Sequence, residues 1–101
     1  MEYSKVYDVT RLMHARPCAE IIKKISKLDK EHDGIEIYLQ NPDLKEAFGC
    51  KSLIGLIINV SENFLVGTKV KVIARGNYES KTLENCAEEI GRLFLAEMDE
   101  E

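Results

Sequence analysis

The sequence predicts an α+β fold: a two-layer open-faced sandwich in which a four-stranded antiparallel sheet carries three helices on one face, in the chain order βαββαβα. Segments with a two-residue apolar repeat, typical of half-buried strands, alternate along the chain with segments that have the apolar stripe of an amphipathic helix. The chain is also short. Its 101 residues predict a single domain, residues 1–101, with room for one hydrophobic core.

Composition and charge limit the classes of function. Apolar residues make up 45% and charged residues 32% of the chain, as is usual for a globular protein. The net charge of -4 argues against nucleic acid as a partner. No apolar run approaches the roughly 20 residues of a membrane-spanning helix, so no membrane insertion is expected. The N-terminal "MEYSKVYDVT" lacks the pattern of a signal peptide, which points to the cytoplasm.

The first half of the chain is predicted to contain a strand, a helix and a hairpin. Residues 3–10 are rich in Tyr, Val and Thr and predict the first strand. Residues 15–28 predict a helix whose apolar stripe lies opposite its lysines. In "IEIYLQ", residues 35–40, apolar and polar residues alternate as in a half-buried strand. The turn signal "NPD" follows, and "LKEAFGC" predicts a short return strand.

The second half is predicted to be a helix, a strand and a helix. "SLIGLIINV" has the length of a strand or a short buried helix, and we favour the helix because Ser52 is a suitable N-cap. "GTKVKVIARG", residues 67–76, has an alternating pattern that is bounded by two glycines, and it predicts a strand. The last helix is predicted from about Ser80 to Met98. Its apolar stripe consists of Leu83, Cys86, Ala87, Ile90, Leu93, Phe94 and Met98.

The cysteines predict neither a metal site nor disulfides. Cys18, Cys50 and Cys86 are widely spaced, and no C-x-x-C pair is present. In a reducing compartment they are expected to remain thiols that pack as small apolar groups. No metal or other cofactor is therefore expected.

The chemically distinctive segment is "HARP", residues 14–17, where the first helix begins. Pro17 suits the first helical turn, and the helix N-terminus around Ala15, Pro17 and Cys18 is a candidate phosphate-binding site, because unpaired N–H groups and the helix dipole favour an anion there. His14 is a candidate phosphoryl acceptor, and Arg16 could bind phosphate oxygens. The alternative interpretation is that both are ordinary solvated residues near a helix start, and His32 is expected to be a plain loop residue.

Two motifs in register resemble the histidine-containing phosphocarrier (HPr) family of the bacterial phosphoenolpyruvate:sugar phosphotransferase system. "HARP" followed by a small residue is similar to the family's phosphorylation-site signature, and "KSLIGLI" at 51–57 is similar to the signature around its regulatory serine. The element order also fits, so the resemblance covers nearly the whole chain. The chain departs from the family at Leu12-Met13, where the family often has Gly-Leu. It also differs in "SENFLV" after the second helix, where the family usually has a glycine-containing loop.

The resemblance implies a phosphoryl carrier rather than a stand-alone enzyme. His14 would accept, on Nδ1, a phosphoryl group that enzyme I has obtained from phosphoenolpyruvate. It would pass this group to sugar-specific enzyme II A domains. Arg16 would contact the phosphohistidine. Ser52 matches the serine modified by a serine kinase/phosphorylase in many bacteria. Leu53, Ile54 and Leu56 match an apolar docking patch. A monomer is expected.

Two other functions remain open at the level of sequence. The chain could be an HPr-like regulatory interaction module, outside sugar transport, that is switched by phosphorylation of Ser52. Such a module would not need the imidazole of His14 or the guanidinium of Arg16, and their presence favours the carrier. A small-molecule-binding α+β domain is a third idea, but no pocket motif supports it.

Overall fold

The four strands form one antiparallel sheet, and the three helices pack on one of its faces, as predicted. The computed structural model describes residues 1–50 and 52–96. The elements are β1 (Glu2–Asp8), α1 (Ala15–Glu31), β2 (Glu36–Gln40), β3 (Ala47–Gly49), α2 (Leu53–Asn63), β4 (Lys69–Arg75) and α3 (Ser80–Gly91), followed by a 3-10 turn (Arg92–Phe94). The strand order in the sheet is β1-β4-β2-β3.

The alternation in β4 sets the two faces of the sheet. β4 pairs with β1 on one side and β2 on the other, both antiparallel. Val70, Val72 and Ala74 are fully buried beneath the helices, because successive side chains of a strand point to opposite faces. Ile73 lies on the other face and is also buried, opposite Ser4 of β1 and Tyr38 of β2.

The predicted hairpin is confirmed. β3 pairs with β2 in antiparallel register, and Phe48 lies opposite Leu39 on the helix-covered face. In the connection, the Asn41 side-chain oxygen accepts the Asp43 backbone N–H at 2.9 Å, and the Leu44 N–H donates to the Asn41 carbonyl at 2.9 Å. These bonds are typical of an Asx-type turn. The short "NPD" segment therefore reverses the chain.

A single apolar cluster joins the sheet to the helices. It contains buried side chains from β2, β4 and every helix. It also includes residues of the loops that flank α1 and α2. The largest fully buried members are Phe64, Phe94, Ile21, Leu28, Leu39, Leu56, Leu83 and Ile90. The cluster contains the apolar stripes of α1 and α3 and the inner face of the sheet. Burial of this apolar surface therefore fixes how the helices pack on the sheet.

The last helix ends earlier than predicted. α3 stops at Gly91, the next three residues form a 3-10 turn, and Leu95 has extended backbone angles. The predicted α-helix is therefore confirmed for residues 80–91 and wrong for residues 92–96, while Met98 lies outside the described residues. Backbone N–H groups of Thr10 and Arg11 donate to the Phe94 carbonyl at 3.0 and 3.1 Å. These bonds from a distant loop replace the continuation of the helix.

The segment from Ser52 is helical, as favoured, and longer than the apolar run that predicted it. Two turns use positive φ angles, at Gly34 (83°) and Gly67 (96°), a region that glycine occupies without steric cost. No helix within residues 1–50 and 52–96 has both the length and the apolarity to span a bilayer.

Candidate functional site

His14 occupies the N-cap position of α1 with its side chain in solvent. Its backbone is extended (φ -124°, ψ -156°), and its imidazole does not cap the helix. The Cys18 N–H donates to the His14 carbonyl at 3.1 Å, which is the first hydrogen bond of the helix. The imidazole forms no hydrogen bond with any residue the structure describes. The ring is therefore accessible to another macromolecule.

Of the three residues predicted to form the phosphate-binding helix N-terminus, only Ala15 can offer a backbone N–H to an anion. Pro17 has no N–H, and the Cys18 N–H is already bonded to His14. Both side chains are also buried, whereas Ala15 is exposed. The N–H groups at the start of α1 that remain for an anion are those of Ala15 and Arg16, because the first residues of a helix lack intrahelical acceptors. Pro17 and Cys18 thus shape the helix start from its buried side.

A shallow depression brings His14 and Arg16 together. Its lining comprises Arg11, Leu12, His14, Arg16, Pro17 and Glu20. Arg16 is exposed and forms no ion pair within residues 1–50 and 52–96. The depression thus combines an unpaired imidazole with an unpaired guanidinium. An imidazole of this kind can act as a nucleophile, and a guanidinium can bind phosphate oxygens.

Three residues of this depression were not foreseen as site residues. Glu20 lies four residues after Arg16 on α1, and this spacing alone places the two side chains on one helix face. Leu12 is 66% exposed directly before Met13, which is buried. Nothing in the sequence indicates that Arg11 reaches the site, because its position depends on contacts with α1 and the 3-10 turn.

Arg11 is held by two side-chain contacts and one backbone hydrogen bond. Its Nη1 lies 2.9 Å from Glu20 Oε1 and donates to the Leu93 carbonyl at 3.2 Å. Its backbone N–H donates to the Phe94 carbonyl. The loop that precedes His14 is therefore attached at one residue to α1 and to the 3-10 turn. Arg11 is mostly buried, with 24% of its side chain exposed.

Ser52 caps α2, as predicted. The Gly55 N–H donates to Ser52 Oγ at 3.3 Å, and the Leu56 N–H donates to the Ser52 carbonyl at 2.8 Å. Ser52 is exposed, so its hydroxyl is also accessible to a modifying enzyme. Ser52 does not line the depression around His14.

The predicted docking patch loses one member. Leu53 and Ile54 are 41% and 72% exposed, but Leu56 is 1% exposed and belongs to the core. The proposal that Leu56 contacts a partner is therefore wrong. α2 packs Leu56 and Val60 into the core, and its C-cap residue Phe64 continues the same four-residue spacing. Ile58, which follows Ile54 by one turn and is 52% exposed, extends the outer apolar surface instead.

All three cysteines are free, and they are buried, as expected for thiols that pack as apolar groups. Burial raises the pKa of each thiol, and for Cys50 it raises the pKa from 9.0 to about 12. The neutral thiols pack as apolar groups. Within the described part of the chain, no cluster of three or more His, Cys, Asp or Glu side chains could hold a metal ion.

Comparisons with known proteins give a fold and leave the family open. No family model matches the sequence, and no curated protein matches it. Among solved structures, the chain is similar to the crystal structure of a phosphocarrier protein HPr from Bacillus anthracis str. Ames, with a TM-score of 0.59 and 16% sequence identity. The similarity covers 86% of this chain and 94% of the other. The architecture is the α+β, open-sheet fold of that phosphocarrier.

Proposed function

We propose that this protein is a cytoplasmic, monomeric phosphocarrier. His14 accepts a phosphoryl group from phospho-enzyme I and passes it to sugar-specific enzyme II A domains. One observation carries the proposal: an exposed, unbonded His14 imidazole shares a surface depression with the unpaired Arg16 guanidinium, at the start of a helix. The shared fold with a phosphocarrier HPr supports it.

The proposed transfer is an exchange between two imidazole nitrogens. The P–N bond of the donor phosphohistidine breaks as a new P–N bond forms to a ring nitrogen of neutral His14. The electron pair of the broken bond stays on the donor nitrogen, which takes up a proton, and the His14 ring gives one up. Arg16 and the N–H groups at the start of α1 stabilise the dianionic phosphoryl group, because charge-assisted hydrogen bonds are strong.

Exposure of the two functional groups favours the carrier over the regulatory module. A domain that only binds partners gains nothing from an imidazole held in solvent beside a guanidinium. In the proposed carrier, Leu53 and Ile54 provide apolar docking surface, since exposed apolar patches on small domains often mark partner sites. A serine kinase/phosphorylase acting on Ser52 would add regulation to the same carrier.

The proposal is tested by phosphoryl uptake from phosphoenolpyruvate and enzyme I. The protein should gain one phosphoryl group that is labile in acid and stable in base, and His14→Ala should abolish the uptake. His32→Ala is the matched control, because His32 lies at the other end of α1, against the ring of Tyr78. Uptake by the His14→Ala variant, or loss of uptake only in His32→Ala, would show that the acceptor is misassigned.

A further inference from the structure

Arg11 and Glu20 form an ion pair in the wall of the depression that holds His14 and Arg16. The pair joins the loop before His14 to the second turn of α1, and the same nitrogen, Nη1, donates a hydrogen bond to the Leu93 carbonyl. Nε and Nη2 form no hydrogen bond within residues 1–50 and 52–96. A guanidinium has five N–H donors, so Arg11 keeps donors for a second anion.

We propose that the Arg11–Glu20 pair sets how firmly a phosphoryl group is held on His14. Arg11 is a second cation that stabilises the dianionic group, and Glu20 opposes it in two ways. The Glu20 carboxylate competes with the phosphoryl group for the Arg11 guanidinium. Its own negative charge, in the same depression, also repels the dianion. The inference rests on the proposed function, because it requires His14 to carry a phosphoryl group.

The physical basis is that two side chains of opposite charge line the same depression as His14. Without the phosphoryl group they neutralise each other. When a dianion forms on His14, the attraction to Arg11 and the repulsion from Glu20 both appear. A carrier must hold the group long enough to meet its acceptor and must still release it. A cation that is paired with a carboxylate stabilises the phosphoryl group less than a free cation would, and more than no cation would.

The test separates this electrostatic role from a structural one, because Arg11→Gln and Glu20→Gln break the same ion pair. A structural role predicts that both variants change the site in the same direction. The proposed role predicts opposite changes. The phosphohistidine lifetime should fall about threefold to tenfold in Arg11→Gln and rise by a similar factor in Glu20→Gln, the size of one unit charge at a partly exposed site. Arg11→Lys should keep much of the wild-type lifetime.

The measurement needs no enzyme I. Phosphoramidate can phosphorylate His14 directly: its P–N bond breaks, ammonia leaves, and a P–N bond to the ring nitrogen forms. The lifetime of the product is then followed at neutral pH. The matched control is the Lys24–Glu89 pair, 3.3 Å apart and similarly exposed, which lies outside the depression. Lys24→Gln and Glu89→Gln should leave the lifetime unchanged.

Two results would overturn the proposal: lifetimes that move in the same direction in Arg11→Gln and Glu20→Gln, or changes no larger than those of the control pair. Failure of His14 to react with phosphoramidate would overturn it as well. A wild-type protein that forms a phosphohistidine with phosphoramidate, shows the opposite changes, and still takes nothing from enzyme I would refute the proposed function alone.

Discussion

At the scale of a single residue, the position of Arg16 predicts an effect on the proposed phosphoryl transfer and little effect on stability. Its guanidinium is exposed, lines the depression around His14, and forms no ion pair in the described part of the chain. Arg16→Ala should therefore slow phosphoryl transfer while the free energy of unfolding changes by less than about 0.5 kcal/mol, as for surface positions away from special features. Transfer rates and urea denaturation check this. A variant that unfolds easily yet transfers normally per folded molecule would contradict it.

Tyr7 carries a hydroxyl whose removal is predicted not to reduce stability. The hydroxyl is buried and has no hydrogen-bond partner among the described residues. An unsatisfied buried polar group costs about 1–3 kcal/mol. Tyr7→Phe should thus leave the free energy of unfolding unchanged or raise it by up to about 1 kcal/mol, as measured in urea. The control is Tyr3→Phe, on the same strand face and also half-buried. A clear loss of stability specific to Tyr7→Phe would show that the hydroxyl has a partner.

At the scale of elements, Ser52 caps α2, and we propose that it is also a regulatory site. Ser52→Ala removes the side-chain acceptor for the Gly55 N–H and should cost about 0.5–2 kcal/mol. Ser52→Asp retains a capping oxygen and adds a negative charge, so helix content by circular dichroism should stay constant. The added charge should instead raise the apparent KM for transfer from enzyme I, because it lies at the edge of the Leu53 and Ile54 surface.

The control for this charge is Ser61→Asp, at the opposite end of the same helix. It should leave the apparent KM unchanged. If Ser52→Asp transfers as well as the wild type, and Leu53→Ala also has no effect, then α2 is not a docking surface and the regulatory proposal fails.

The elements themselves could be predicted from local pattern, but their ends and faces could not always be. The alternation in β4 and the stripe of α1 depend only on nearby residues, and both predictions are confirmed. The end of α3 depends on hydrogen bonds from Thr10 and Arg11 to Phe94, which no local pattern contains. The burial of Leu56 was missed because "LIGLII" is apolar on nearly all sides, so periodicity could not show which face meets the core.

In the candidate site, too, some residues could be predicted from the local sequence and others could not. His14 and Arg16 were recognisable because they are adjacent to a helix start that the sequence itself signals with Pro17. Arg11 reaches the same depression through contacts with Glu20 and Leu93, the second of which is distant in sequence. Such a contact exists only once α1 and the 3-10 turn have packed together.

For the whole molecule, the buried thiols predict loss of stability at alkaline pH. Burial raises the pKa of Cys50 from 9.0 to about 12, and that of Tyr7 from 10.0 to about 12. Because the unfolded chain loses these protons first, these two groups should leave the free energy of unfolding unchanged well below pH 9 and should lower it as pH rises from about 9 to about 12. Cys50→Ala should reduce this slope in urea titrations under reducing conditions. An unchanged slope would show that Cys50 ionises normally in the folded protein.

The proposed function depends on one chemical event at His14, and phosphorus NMR observes it directly. The protein is incubated with phosphoenolpyruvate and enzyme I, and nitrogen-labelled histidine identifies the ring atom that is modified. We predict a single phosphoramidate signal coupled to Nδ1 of His14, which disappears when an enzyme II A domain is added. A spectrum with no such signal, or with the phosphoryl group on His32, would contradict the account.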